Sequence, residues 1–407
     1  VRAEEFVEGE ARVIELTTRQ FEDLGRLSIQ LGNNRAWWGD DRTDPDRDPP
    51  RIAELDRLAD GLARVRIRNV VGVLAVPGLE LIVAPKIPSD HFLYLLEYAL
   101  LGAVRHQRGP AALSAGSGLK RLVVRWYIDA LERLVAQGLA KGYTAQRAEL
   151  DHIRGSIDST TMLRSWYAGR VRISCEFEEF SEDTPANRYL SYACQLLLAG
   201  GSVSDDDFVR LRAMSVRLPR AIRGRDPERP VLNPREHQYR EAVSLAQDII
   251  TATGRDLLGG DRAASTFAIY TPRVIEDGIR NALTFTLEPI QVRKTGGRRL
   301  VPSFVMVRPD LELGPPPFTG DIKYKLGGTS WNRGDLAQAV LFATAYRSPR
   351  AVVIDFVDVD SPRDVRLDVG EVAIYRAAWR CGAGWAPEDS LRDLTGALLA
   401  SIFEPAA

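Results

Sequence analysis

The chain has 407 residues, 54 basic and 55 acidic, and its formal net charge of −1 excludes a general electrostatic grip on nucleic acid. At 45% hydrophobic and 27% charged it has a globular composition, and its length predicts two or three domains. No apolar run reaches the roughly 18 residues that cross a bilayer, VRAEEFVEGE lacks the form of a signal peptide, and Cys175, Cys194 and Cys381 are too scattered for a disulfide framework or structural zinc, so a reducing cytoplasm is the expected setting.

Three regions are expected, in an α/β multidomain architecture. The first, residues 1–109, reads as an N-terminal α+β domain, rich in strands. ARVIELT predicts a strand, TTRQFEDLGRLSIQLG a helix, and DDRTDPDRDPP an exposed acidic loop. In ARVRIRNVVGVLAVPGLELIVAPKI, Val65 and Ile67 alternate with Arg64, Arg66 and Arg68, which predicts a strand with one wet, basic face. Pro77-Gly78 makes the turn into LELIVA, and the helix HFLYLLEYALL closes the region.

The second region, residues 110–233, reads as mainly helical. GLKRLVVRWYIDALERLVAQGL carries an apolar stripe at Leu122, Trp126, Leu131 and Leu134. RVRISCEFEEF is strand-like, and Thr184-Pro185 opens the helix ANRYLSYACQLLLAG. SDDDFVRLRAMSVRL follows as a helix, and the proline-rich stretch from Arg217 to Arg235, with Arg220, Arg223, Arg225 and Arg229, reads as a linker.

The third region, residues 234–407, carries the chemistry. STFAIYTPRVIEDGIRNALTF reads as a helix with the stripe Ile275, Ile279 and Leu283 and with Glu276 beside it. EPIQVRK is expected as a first strand. Arg308-Pro309-Asp310 ends an apolar run, and Asp321-Ile322-Lys323 opens another extended run. On a strand Asp321 and Lys323 share one face while Ile322 points to the other. The helix LAQAVLFATAY places Gln338, Phe342 and Tyr346 one turn apart each. AVVIDFV is a buried-strand pattern, and SLRDLTGALLASIF is a closing helix.

Two carboxylates and a lysine on adjoining strands are what metal-dependent phosphodiester hydrolysis needs: the acids bind a divalent cation, and the lysine orients a water and offsets phosphorane charge. The element order fits the αβββαβ core of a PD-(D/E)xK restriction-endonuclease-like α/β domain. Asp310, Asp321, Lys323, Gln338 and Glu276 are the candidate catalytic groups. Asp310, Asp321 and the carbonyl of Ile322 are the candidate ligands for Mg²⁺, with Mn²⁺ as a substitute. Arg293, Lys294, Arg298 and Arg299, in a loop near Asp310, are the candidate DNA phosphate contacts.

Over nearly its full length the chain resembles McrC, the nuclease subunit of the McrBC 5-methylcytosine restriction system. The resemblance lies in PGLELIVAPKI, FLYLLEYA, the block Phe177 to Pro185 with Asn187-Arg188, Arg308-Pro309-Asp310, Asp321 to Lys325, and Asp335-Leu336 with Gln338. Where the family carries more arginine in its central block, this chain has Ser159-Thr160-Thr161. The resemblance implies a type IV restriction endodeoxyribonuclease that cuts methylated double-stranded DNA with a McrB-like AAA+ GTPase ring and a second McrC copy. It also implies that residues before about Gly109 enter the ring and stimulate its GTPase; Arg64, Arg66, Arg68 and Asn33-Asn34-Arg35 are basic candidates there. Consistent with this, the chain has no G-x-x-x-x-G-K-[ST] loop, so it binds no nucleotide of its own. Two alternatives are a regulatory subunit whose main role is stimulating the AAA+ partner, and a free-standing metal-dependent nuclease.

Overall fold

The computed structural model describes residues 2–32, 52–101, 117–159, 162, 166–167, 172–200, 203–219, 227–252, 266–300, 306–314, 318–326, 330–361, 366–382 and 384–403. Asn33-Asn34-Arg35, the DDRTDPDRDPP loop, Thr160-Thr161 and Arg220, Arg223 and Arg225 lie outside the described residues.

The chain begins with β1 (Arg2–Val7), β2 (Ala11–Glu15), α1 (Thr18–Gly32), β3 (Ala53–Arg57), β4 (Leu62–Ile67), β5 (Val70–Val76), β6 (Leu79–Ala84) and α2 (Ser89–Leu101). It continues through α3 (Ser117–Gln137), β7 (Gly142–Leu150), β8 (Ser156–Ile157), β9 (Ile173–Ser181), α4 (Pro185–Ala199), α5 (Asp205–Arg217) and α6 (Arg240–Ala252). Next come β10 (Phe267–Tyr270), α7 (Thr271–Thr286), β11 (Val292–Arg293), β12 (Arg298–Arg299), β13 (Met306–Val307), β14 (Leu311–Leu313) and β15 (Phe318–Leu326). The last elements are α8 (Arg333–Tyr346), β16 (Arg350–Val357), β17 (Arg366–Val369), β18 (Val372–Arg380) and α9 (Pro387–Phe403).

These elements form two compact units, Val1–Leu119 with Gly254–Ala407, and Lys120–Thr253. Where the sequence suggested separate N-terminal and C-terminal domains, the two ends of the chain share a unit. The reason is visible in one sheet, ordered β1-β6-β5-β10, in which β10 pairs antiparallel with β5. Gly72 permits this pairing: a Cβ there would stand 2.1 Å from the Phe267 carbonyl oxygen. STFAIY, expected to be helical, is therefore strand in part, and the helix starts at Thr271 with Pro272 in its first turn. A short apolar run of this kind carries no period that separates strand from helix.

The basic-faced strand divides in two. Asn69, at φ 62°, turns the chain from β4, in the sheet β2-β4-β3, to β5 in its neighbour. Val65 and Ile67 are buried as expected, but Arg66 and Arg68 pair with Glu54 at 3.6 and 3.1 Å, which offsets the positive face. Leu24, Ile52, Val65, Leu74 and Leu81 form the core between these sheets and α1.

The six-stranded sheet runs β11-β14-β15-β16-β18-β17. β11, β14 and β15 are antiparallel neighbours; β15, β16 and β18 are parallel, with α8 as the crossover from β15 to β16. Ala339 and Ala343 of α8 pack on Ala351, Val353 and Ile374. On the opposite face Trp379 donates its indole N–H to His91 Nδ1 of α2 at 3.0 Å. α2 and α7 approach closely because Gly278 has no Cβ; one would meet the Leu95 carbonyl oxygen at 2.5 Å. EPIQVRK contributes only the two residues of β11 to the sheet.

The region 110–233 was expected to be mainly helical, and α3, α4 and α5 form there; α6, which also belongs to this unit, was not read in the sequence. Thr184 caps α4 by accepting the Asn187 N–H, with Pro185 in the first turn. The unit also holds a three-stranded sheet, β7-β9-β8. Its first strand, GYTAQRAEL, alternates between exposed and half-buried positions over most of its length and has no apolar face to announce it.

Candidate active site

Asp310 and Asp321 meet because β14 and β15 form a tight antiparallel pair. Leu311 stands opposite Gly320, so the residues just outside that pair, Asp310 and Asp321, lie across from one another. Gly320 gives the room: a Cβ on it would meet Leu311 Cδ1 at 2.5 Å. Asp310 Oδ2 accepts the Ile322 backbone N–H at 2.7 Å, which fixes its carboxylate on the strand.

Asp321 is 2% exposed. Lys323 Nζ lies 2.7 Å from Asp321 Oδ2 and donates to Gln338 Oε1 at 2.8 Å. The Lys323–Asp321 contact is an ion pair by distance, yet Asp321 Oδ2 receives no hydrogen bond of good geometry. Burial, then the negative charges of Glu276 and Asp321, hold the Asp310 carboxyl well above the ordinary carboxylate range, opposed by the Ile322 N–H. Glu276, on α7, thus belongs to the same charge cluster.

Among the described residues no group of three or more His, Cys, Asp or Glu side chains is placed to hold a metal by itself. Asp310 and Asp321 present two facing carboxylates, which suits Mg²⁺, an ion that keeps several waters and takes one or two carboxylates. The negative charges of Glu276 and Asp321 crowded around Asp310 fit a cation as well.

Gln338 is held in place by both ends of α8. Asn332 caps the helix, accepting from Gly334 and Asp335 N–H, and Asp335 is ion-paired with Lys325 of β15. At the other end Tyr346 donates to the Val307 carbonyl at 3.4 Å, and Phe342 between them is buried.

The basic loop is held more tightly than a free phosphate clamp. Arg293 pairs with Glu312 at 3.0 Å and Lys294 with Asp277 at 3.9 Å. Arg298 donates to the Ala345 carbonyl at 2.7 Å and lies over the Tyr346 ring. Arg293, Lys294, Arg298 and Arg299 nevertheless remain exposed.

One neighbouring group went unread in the sequence. Asp355, in register with Lys323 across β15 and β16, is buried and bound by Arg376 at 2.5 and 2.9 Å. Burial raises its pKa and Arg376 opposes that rise. The signal was available: an acid inside the apolar run AVVIDFV needs a buried partner.

The site thus gathers two facing aspartates, a lysine and a glutamine from the crossover helix on one mixed sheet. The family model for the McrBC 5-methylcytosine restriction system component matches residues 65–354. The chain belongs to the McrBC family. Its fold is similar to a chain in the refined half-complex from a tetradecameric assembly of Thermococcus gammatolerans McrB AAA+ hexamers with bound McrC. That match has a TM-score of 0.59 at 17% identity, covering 97% of this chain and 100% of the other. A chain of the Thermococcus gammatolerans McrBC complex also matches, with a TM-score of 0.44 and 17% identity over 70% of this chain and 88% of that one. No curated protein sequence shows significant similarity. Among the described residues no helix is long and apolar enough to cross a membrane.

Proposed function

We propose that the chain is the DNA-cleaving subunit of a modification-dependent restriction complex, a PD-(D/E)xK nuclease acting in the cytoplasm with a McrB-like AAA+ GTPase. The observation that carries this reading is the convergence of Asp310, Asp321, Lys323 and Gln338 on one sheet face, with the charge of Glu276 acting on Asp310. Membership of the McrBC family and a fold like that of a chain in a McrB–McrC assembly support the partner.

Asp310, Asp321 and the Ile322 carbonyl would hold Mg²⁺, which when bound supplies Lewis-acid polarisation of the scissile phosphate and of a water. Lys323 offsets charge that develops on the phosphorane, and it does so from a fixed position because Gln338 holds its ammonium. Gln338 also has amide capacity left to orient a water. Glu276 acts as an outer carboxylate, adding negative charge that favours cation binding. Two such chains are needed to cut both strands, so a second copy joins the assembled complex.

The test is a separation of functions. In complexes with the GTPase ring, Asp321→Ala is expected to abolish cleavage of methylated duplex while stimulation of GTP hydrolysis stays near wild type. Loss of both activities in a well-folded variant would contradict a division between partner-stimulating and DNA-cutting regions.

A further inference from the structure

Side chains alternate along β15, so Tyr324 points away from Lys323 to the reverse face of the sheet. There its ring packs edge-on against Phe356 at 5.6 Å and carries the Lys86 ammonium 3.9 Å from its centroid. Its hydroxyl faces the Lys86 backbone and the Glu8 carboxylate. Glu8 and Tyr324 sit close enough to shift each other's protonation, although neither Glu8 Oε2 nor the Tyr324 hydroxyl completes a hydrogen bond of good geometry.

Glu8 follows β1 directly and is 2% exposed. Its Oε1 accepts a 2.6 Å hydrogen bond from the hydroxyl of Thr271, the first residue of α7. The same corner is tied to the N-terminal sheets through the backbone: Thr271 N–H donates to the Asn69 carbonyl at 3.0 Å, and Gly9 N–H to Ile67 at 2.7 Å. One buried carboxylate from the start of the chain therefore bonds α7 through Thr271 and faces the Tyr324 hydroxyl of β15, the two elements that bring reacting groups. α7 carries Glu276, and β15 carries Asp321 and Lys323. A carboxylate this deep is costly unless it is paired and bonded, and Lys86 supplies the opposite charge.

We propose that Glu8, Lys86 and Tyr324 form a positioning node that sets the placement of β15 and α7 against the N-terminal sheet, and through it the geometry of Asp321, Lys323 and Glu276. The inference rests on the nuclease reading above. Its leverage is local: Tyr324 is one peptide from Lys323, whose ammonium is held at 2.8 Å by Gln338, and two from Ile322, whose N–H fixes Asp310. Displacing the strand by a fraction of an ångström alters both contacts. The three are positioning residues, touching no substrate.

The experiment uses the full chain assembled with its GTPase ring, methylated duplex DNA and Mg²⁺. Glu8→Gln keeps an acceptor for Thr271 but removes the charge; Tyr324→Phe keeps the ring for Phe356 and Lys86 but removes the hydroxyl. Each is expected to lower kcat by about 10²-fold with KM for DNA changed less than about twofold. The double variant is expected to be no worse than the weaker single one, because both break the same node. An unchanged kcat per folded molecule in Tyr324→Phe, or losses that multiply in the double variant, would overturn the node. Should Glu8→Gln fail to fold, Tyr324→Phe and Lys86→Met decide the question by the same kcat criterion. A wild-type complex that does not cleave overturns the nuclease reading and this inference with it, whereas a cleaving wild type with equally active variants overturns this inference alone.

Discussion

Removing one negative charge from the acidic cluster should stabilise the metal-free protein while destroying its activity. Asp310→Asn keeps an oxygen that can accept the Ile322 N–H at 2.7 Å, so the local geometry survives. What it removes is a buried carboxylate facing the charges of Asp321 and Glu276. A pair of carboxylates about 5 Å apart repels by about 3 kcal/mol at an effective dielectric constant of about 20. Sharing a proton relieves part of this in the wild type, leaving an expected gain of about 1–3 kcal/mol for the variant. At roughly 2–4 °C per kcal/mol for a unit of this size, the melting temperature should rise by several degrees. The sign with pH follows from the raised Asp310 pKa. Its contribution to stability is full below the ordinary value of 3.8 and is lost as pH rises through the folded-state value. The variant's advantage should therefore be largest in alkaline buffer and shrink towards pH 3.8. Calorimetry in chelator across that range reads it directly, and excess Mg²⁺ should then stabilise wild type more than the variant. A variant less stable than wild type in alkaline chelator, or a difference without pH dependence, would refute the charge-cluster argument.

Two further outcomes are expected. Gln338→Ala should lower kcat by about 10- to 100-fold with little change in DNA affinity, because Lys323 loses the acceptor that holds it at 2.8 Å; single-turnover cleavage checks it, and a pure affinity loss would contradict it. In the second unit, Arg188 makes two hydrogen bonds to Asp183, at 2.5 and 2.6 Å, and holds its carboxyl below the usual range. Asp183→Asn should cost about 1 kcal/mol after allowance for solvent screening. Because the folded pKa is depressed, that contribution is present above pH 3.8 and lost as pH falls through the folded value. Melting curves of the two proteins should converge in acid and separate at neutral pH.

The parts of the fold that could be read from the sequence are those in which one element carries its own pattern. The helices α2 and α8, the hairpin around Pro77-Gly78 and the buried strand β16 follow from period and turn chemistry alone. β7 and the two-residue strands β8, β12 and β13 do not, because they exist through their partners rather than through an apolar face. β10 was unreadable for a related reason: its partner β5 lies far off in sequence and is reached only because Gly72 lacks a side chain. The site divides in the same way. Asp310, Asp321, Lys323 and Gln338 fall within one short stretch whose spacing, read with the family resemblance, anticipates their meeting. Arg376 reaches Asp355 across neighbouring strands, and Glu8 reaches Tyr324 from the opposite end of the chain. Only the folded sheet brings those pairs together.

The most direct measurement is cleavage of a methylated duplex by the assembled complex in Mg²⁺, with wild type, Asp321→Ala and Lys323→Ala compared under chelator controls. Wild type is expected to cut and chelator to stop it, with no detectable cutting by either variant although each still assembles with the ring. Cutting that persists in both variants would place the chemistry elsewhere and contradict the assignment of Asp310, Asp321 and Lys323 as the reacting cluster.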